Sequence, residues 1–161
     1  MSVIRPVTEA DLPAVADIYA HYVLNTVATF EEDPPEPGFW RAKAASGLPF
    51  LVAEADGAVG GFAYAGQYRP KPAYRHSLED TVYLAPGFTG RGLGRALLEA
   101  LVAACRDSGA RQIIAVIADG GDPASARLHR ALGFREAGRL RAVGFKHGRW
   151  LDTVLMQLDL S

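Results

Sequence analysis

The chain has 161 residues, 49% of them hydrophobic and 22% charged, with 17 basic against 18 acidic side chains. That length suffices for one domain with its own core, and the composition excludes a disordered chain. A net charge of −1 gives no footprint for nucleic acid, no apolar run reaches the ~20 residues of a bilayer span, and the lone Cys105 has no internal disulfide partner.

Residues Met1 to Pro6 lack the basic run and apolar stretch of a secretory leader. The expectation is therefore a soluble, cytoplasmic, single domain over residues 1–161, with neither membrane nor nucleic acid as partner. Charge is unevenly spread: residues 1–80 carry a balance of −5 and residues 81–161 one of +4. A positive C-terminal half suits an anionic small ligand, or is simply a solvated surface.

Val3 to Pro6 reads as a strand, and Thr8 as the cap of a helix with Glu9 and Asp11 in its first turn. Leu12, Val15, Ile18, Tyr19 and Tyr22 recur at helical spacing on one buried stripe. Prolines 34, 35 and 37 break the acidic segment 31–36 into a loop, followed by a short helix from Gly38 to about Ala45. Two apolar runs, Phe50–Ala55 and Ala58–Ala65, flank Asp56-Gly57, a hairpin signal.

Ser77 to Leu84 is a further strand, with Leu78, Val82 and Leu84 on one face and Glu79, Thr81 and Tyr83 on the other. A glycine-rich turn leads to a helix with Leu93, Leu97, Leu101 and Ala104 on its stripe. Gln112 to Ala118 is a buried-type strand. Asp122-Pro123 opens a helix that ends at Gly133. Phe134–Leu140 and Trp150–Leu160 are the last strands, joined through Gly144 and Lys146-His147-Gly148. This order predicts a mixed α/β (α+β) sheet.

The stretch from Gly87 to Leu98 joins a strand to an amphipathic helix, so backbone N–H groups converge where a phosphate can sit. Arg91 and Arg95 add charge there. It is no Walker A loop, which needs Gly-Lys-Ser/Thr. It is no dinucleotide fingerprint either: read from Gly90 the last glycine is Arg95, and from Gly92 it is Leu97.

What remains, Thr89-Gly90-Arg91-Gly92-Leu93-Gly94 behind a strand carrying Glu79, resembles the GNAT superfamily of acyl-CoA-dependent N-acetyltransferases, whose signature is Q/R-x-x-G-x-G/A. Thr89 departs from its first position. Glu79-Asp80-Thr81-Val82-Tyr83-Leu84, Arg127 to Phe134, Thr29-Phe30 and Gly144 to Trp150 narrow the resemblance to the phosphinothricin and methionine sulfoximine N-acetyltransferases. The matches run in order along nearly the whole chain. Asp122 departs where that family commonly has Asn.

The resemblance implies a mostly antiparallel sheet splayed in the middle, with helices on both faces. It implies acetyl-CoA as cosubstrate, held by residues 89–95 (Thr89, Gly90, Arg91, Gly92, Leu93, Gly94, Arg95), by Val82, Tyr83 and Leu84, and by Asp122 and Ser125. An amine must lose its proton before attacking a thioester, and a carboxylate can take it. Glu79 matches the family's base, whereas Asp80 faces the other way. His129 stands where many members have the tyrosine that protonates the thiolate. A backbone N–H near Val82 would meet the oxyanion.

For the acceptor, the resemblance implies a small glutamate-like or methionine-derived amino acid. Arg75 would bind its carboxylate, with Phe30 and Tyr83 walling the pocket and Lys146 near the subunit boundary of a homodimer. Another amine (a peptide N-terminus or a polyamine) and a non-catalytic acyl-CoA sensor are the alternatives. His21, His76, His129 and His147 form no H-E-x-x-H and Cys105 has no C-x-x-C partner, so no metal is expected.

Overall fold

The computed structural model describes residues 2–161. In chain order it comprises β1 (Ser2–Pro6), α1 (Leu12–Asn25), α2 (Pro37–Ala45), β2 (Phe50–Ala55), β3 (Ala58–Gln67), β4 (Ser77–Leu84), α3 (Leu93–Asp107), β5 (Gln112–Asp119), α4 (Ala124–Ala131), β6 (Arg135–Lys146) and β7 (Arg149–Asp159). The strands form one sheet in the order β1-β2-β3-β4-β5-β7-β6. Every neighbouring pair is antiparallel except β4–β5. The mixed, mostly antiparallel sheet expected from the sequence is the one observed.

Strand alternation divides the core between the two faces. Phe50, Val52 and Phe62 point to the side covered by α1 and by Trp40 of α2. Ala53, Ala55, Ala63, Ala65, Leu78, Ile113 and Met156 point to the side covered by α3 and α4. The four alanines leave room for the leucine stripe of α3, where Leu93, Leu97, Leu98 and Leu101 are buried. Cys105 completes that stripe as a packed small residue, its thiol pushed up to about 12 by burial and by the Asp80 charge.

Local chemistry sets the boundaries. The Thr8 N–H and hydroxyl both donate to the Asp11 carboxylate, at 2.8 and 3.0 Å, so Thr8 caps a 3₁₀ turn over Glu9–Asp11 and α1 starts after it. Arg5 of β1 closes the same corner, donating to both Asp11 oxygens at 2.7 and 2.9 Å. Asp56 and Gly57 have φ of 55° and 76°, the paired left-handed residues of a tight hairpin turn. His147 and Gly148 repeat that turn, with φ of 50° and 71°.

The last hairpin differs from the sequence expectation. β6 does not stop at Leu140 but runs on to Lys146. The pairing with β7 shifts register between Leu140 and Gly144 and then resumes. Asp152 stabilises the bulge, its carboxylate accepting from the Ala142 N–H at 2.8 Å and from Arg139 at 2.9 Å.

Candidate active site

The two halves of the sheet are joined at β4–β5 by only three residue pairs, which end at Glu79↔Ile114. Beyond them β4 stays paired with β3 as far as Leu84, and β5 with β7 as far as Asp119. The strands therefore diverge, leaving a cleft of about 630 Å³. The Ala85 N–H donates to Gly60 on β3, and the Ser77 C=O accepts from Tyr68 beyond its end. By the two-residue alternation of a strand, the peptide groups of Asp80, Val82 and Leu84 face the gap. The Tyr22 hydroxyl reaches into it, donating to the Leu84 C=O at 2.5 Å.

The glycine loop borders the same opening. Gly90 and Gly92 have φ of 75° and 79°, a region that favours glycine, and nothing lies within 4 Å of a Cβ added at either. Gly92 caps α3, so the N–H groups of the first turn have no intrahelical acceptor, and no acidic side chain lies there. The Arg91 guanidinium is paired with Asp56 of the β2–β3 turn at 2.8 Å, and Arg95 with Glu99 at 2.7 Å. Thr89 and Gly94 line the cleft, as do Asp122, Ser125 and Leu128 on its far bank. Pro123 rather than Asp122 is the N-cap of α4, and the Asp122 carboxylate just before it accepts from the Ala124 N–H at 3.0 Å.

Glu79 sits half-buried on the α1 side of β4, at the last paired residue before the strands part. Among the described residues no side chain donates to its carboxylate. Burial pushes its pKa above the ordinary carboxylate value; the Asp80 charge adds to this, while Arg69 and Lys43 oppose it.

Asp80, on the opposite face, is buried and meets His129 of α4. The ring Nε2 lies 2.9 and 3.1 Å from the two carboxylate oxygens, and Nδ1 lies 2.7 Å from the Ser125 C=O. Both nitrogens are thus engaged within the protein. Burial opposes a charged ring, but the Asp80 hydrogen bond and charge, with the Ser125 carbonyl, raise the pKa of His129.

On the acceptor side, Phe30 and Tyr83 both line the cleft. The Phe30 ring lies over Gly144 of β6: a Cβ there would come within 2.4 Å of it. Lys146 is buried, and its Nζ donates to the Thr29 C=O at 2.8 Å, so it holds the segment that carries Phe30. Arg75 lies outside the cleft lining on an exposed turn, its guanidinium donating to the Pro72 C=O at 3.1 Å.

Tyr22, Asp80 and Thr153 are among the lining residues that the sequence does not single out as site residues. Tyr22 read as a stripe residue and Asp80 as the weaker acid. Thr153 gave no signal. Its hydroxyl is buried with no hydrogen-bond partner among the described residues.

The parted β4–β5 pair and the glycine-capped α3 beside it form one cleft of the kind expected for an acyl-CoA-dependent acyltransferase. The model of the acetyltransferase (GNAT) family matches residues 15–134, and the chain belongs to that family. Its enzyme class is N-acetyltransferase. The phosphinothricin N-acetyltransferase of Alcaligenes faecalis is 52% identical over 98% of this chain and 82% of its own length. An L-methionine sulfoximine/L-methionine sulfone acetyltransferase of Pseudomonas paraeruginosa is 41% identical over 98% of this chain and 94% of its own. The crystal structure of a phosphinothricin acetyltransferase from Sinorhizobium meliloti in complex with AcCoA superposes with a TM-score of 0.94 at 47% identity, covering 99% of this chain and 89% of that one.

Proposed function

We propose that this chain, as one domain over residues 1–161, transfers the acetyl group of acetyl-CoA to the α-amino group of a small amino acid. The acceptor class is that of phosphinothricin, methionine sulfoximine or methionine sulfone, the substrates in the relatives' names. The observation that carries the reading is Glu79: a half-buried carboxylate with no donor among the described residues, at the point where β4 leaves β5.

The residues present fit the cosubstrate. The open, left-handed Gly90 and Gly92 and the unpaired N–H groups of the first turn of α3 form a cradle for a pyrophosphate, with Arg91 and Arg95 beside it. The peptide groups of Val82 and Leu84, with the side chain of Tyr83, would hold the arm that enters the gap, and Asp122 and Ser125 its other bank. When bound, acetyl-CoA supplies a thioester carbonyl open to attack by an amine.

Glu79 takes the proton that the acceptor ammonium must lose. A pKa raised toward the working pH makes it a better base than a solvated carboxylate. The Val82 N–H, facing the gap, donates to the oxygen that gains negative charge. The acid role expected of His129 requires its Nε2–H to leave Asp80.

Phe30 and Tyr83 wall the acceptor, and Lys146 acts by fixing Thr29-Phe30. Arg75 recognises the acceptor carboxylate only if brought to the cleft across a homodimer. Exposed Val143, Phe145 and Trp150 on β6 and β7 support such pairing. Residence in the cytoplasm belongs to the same proposal; among the described residues no helix is long and apolar enough to cross a membrane.

The test is acetyl-CoA-dependent thiol release with phosphinothricin, methionine sulfoximine, methionine sulfone, a polyamine and a short peptide. Turnover confined to the first three is expected. Turnover only with polyamine or peptide overturns the acceptor class.

A further inference from the structure

Asp80 is the first residue of β4 beyond the last pair with β5. There the backbone stops holding the two halves of the sheet together, and a side-chain contact takes over. Asp80 and His129 keep only 8% and 3% of their surface, and both line the cleft. An ordinary packing contact would bury neither a carboxylate nor an imidazole so deeply.

Hydrogen-bond accounting fixes the protons. The Ser125 C=O can only accept, so the Nδ1 at 2.7 Å from it carries hydrogen. A single proton is then shared between Nε2 and the carboxylate, whose two oxygens lie 2.9 and 3.1 Å away. The two-oxygen contact fixes the angle of the ring as well as its distance. Phe134 closes another side edge-on, with ring centroids 4.9 Å apart. The remaining groups that sense this site are Cys105 of α3, whose thiol feels the Asp80 charge, and Glu79, adjacent in β4 but on the other face. Neither competes for the shared proton with a hydrogen bond of its own.

The chain of contacts runs from β4 through Asp80 to His129, and through Nδ1 to the Ser125 carbonyl in the first turn of α4. Ser125 and Leu128 of that helix form the far bank of the cleft. We infer that Asp80 is a positioning residue: by holding His129 in one orientation it clasps α4 to β4 across the strand gap and sets the width of the cleft. What that width serves, acetyl-CoA, rests on the function proposed above. The clasp itself does not.

The variants are Asp80→Asn, His129→Asn and the double variant, with the wild type as reference. Two-dimensional imidazole NMR of the wild type should show His129 keeping protons on both nitrogens past the range where an ordinary histidine loses one. In Asp80→Asn, Nε2 should lose its proton at a lower pH than in the wild type. Calorimetric titration with acetyl-CoA, and with CoA alone, should give affinities about tenfold weaker in either single variant. The double variant should be no weaker than the worse single one, because the two residues act as a unit.

A wild-type His129 that titrates as an ordinary histidine overturns the inference, and needs no variant to fold. Wild-type affinity in Asp80→Asn overturns it too, as do single effects that multiply in the double variant. If no acceptor in the panel is acetylated, the proposed function fails while the ring-proton result stands on its own.

Discussion

Replacing Glu79 by glutamine keeps the side chain's shape and removes its basicity. Glu79 accepts no hydrogen bond from the described residues, so the exchange breaks no contact. It also removes a partly desolvated charge next to Asp80, so thermal stability should hold or rise slightly. A positioned general base contributes about 10²–10⁴-fold, or roughly 3–5 kcal/mol of barrier. The kcat for acetyl transfer should fall by that factor, while acetyl-CoA affinity stays within about twofold because Glu79 is on the acceptor side of β4.

The pH profile gives a second reading of the same variant. The folded carboxyl has a raised pKa, so wild-type kcat/KM should fall on the acid side at a pH above the ordinary carboxylate range. In Glu79→Gln that limb should vanish. Thiol release measured across pH, with acetyl-CoA binding by calorimetry, supplies both numbers. A variant that keeps more than half of wild-type kcat, or loses acetyl-CoA affinity in step with turnover, refutes the reasoning.

Three further outcomes follow from particular contacts. Gly144→Ala places a Cβ within 2.4 Å of the Phe30 ring, so the ring must shift; the acceptor KM should rise several-fold with acetyl-CoA affinity intact, checked by steady-state kinetics. Thr153→Val removes a buried hydroxyl that has no partner among the described residues; stability should rise by about 1 kcal/mol, a Tm gain of roughly 2–4 °C by calorimetry, and a loss would contradict it. Asp11→Asn weakens a part-buried pairing with Arg5 at 2.7 Å and, because Arg5 keeps Glu54 as a partner, should cost about 1–2 kcal/mol at neutral pH in urea unfolding. Because Arg5 first, against the cost of burial and with help from Thr8, holds that carboxyl far below its ordinary value, the wild-type advantage is complete above the carboxylate range. It should shrink as pH falls toward the folded value.

Much of the fold was legible because its signals are local. Asp56-Gly57 specified a turn by the conformations those residues tolerate, and the apolar stripe of α1 specified a face. Alternation along β4 placed Glu79 and Asp80 on opposite sides, as observed. Illegible were the consequences of contacts between distant residues. Asp80 acquires its partner 49 positions away, through the orientation of α4. Lys146 reaches back 117 positions to the Thr29 carbonyl, which turns a residue near a hairpin into the support of the Phe30 segment. The continuation of β6 past Leu140 depends on Asp152 of the next strand accepting the Ala142 N–H. The pairing of Arg91 with Asp56 likewise needs the hairpin turn brought beside α3.

The most direct test of the account identifies the product. The wild-type protein is incubated with acetyl-CoA carrying a ¹³C-labelled acetyl carbonyl and with methionine sulfone labelled with ¹⁵N at its α-amino group, and the mixture is followed by NMR. A labelled amide carbonyl coupled to the acceptor's α-nitrogen is expected, appearing in step with free thiol and at least about a hundredfold more slowly with Glu79→Gln. Labelled acetate alone, or label on any other atom of the acceptor, would contradict it.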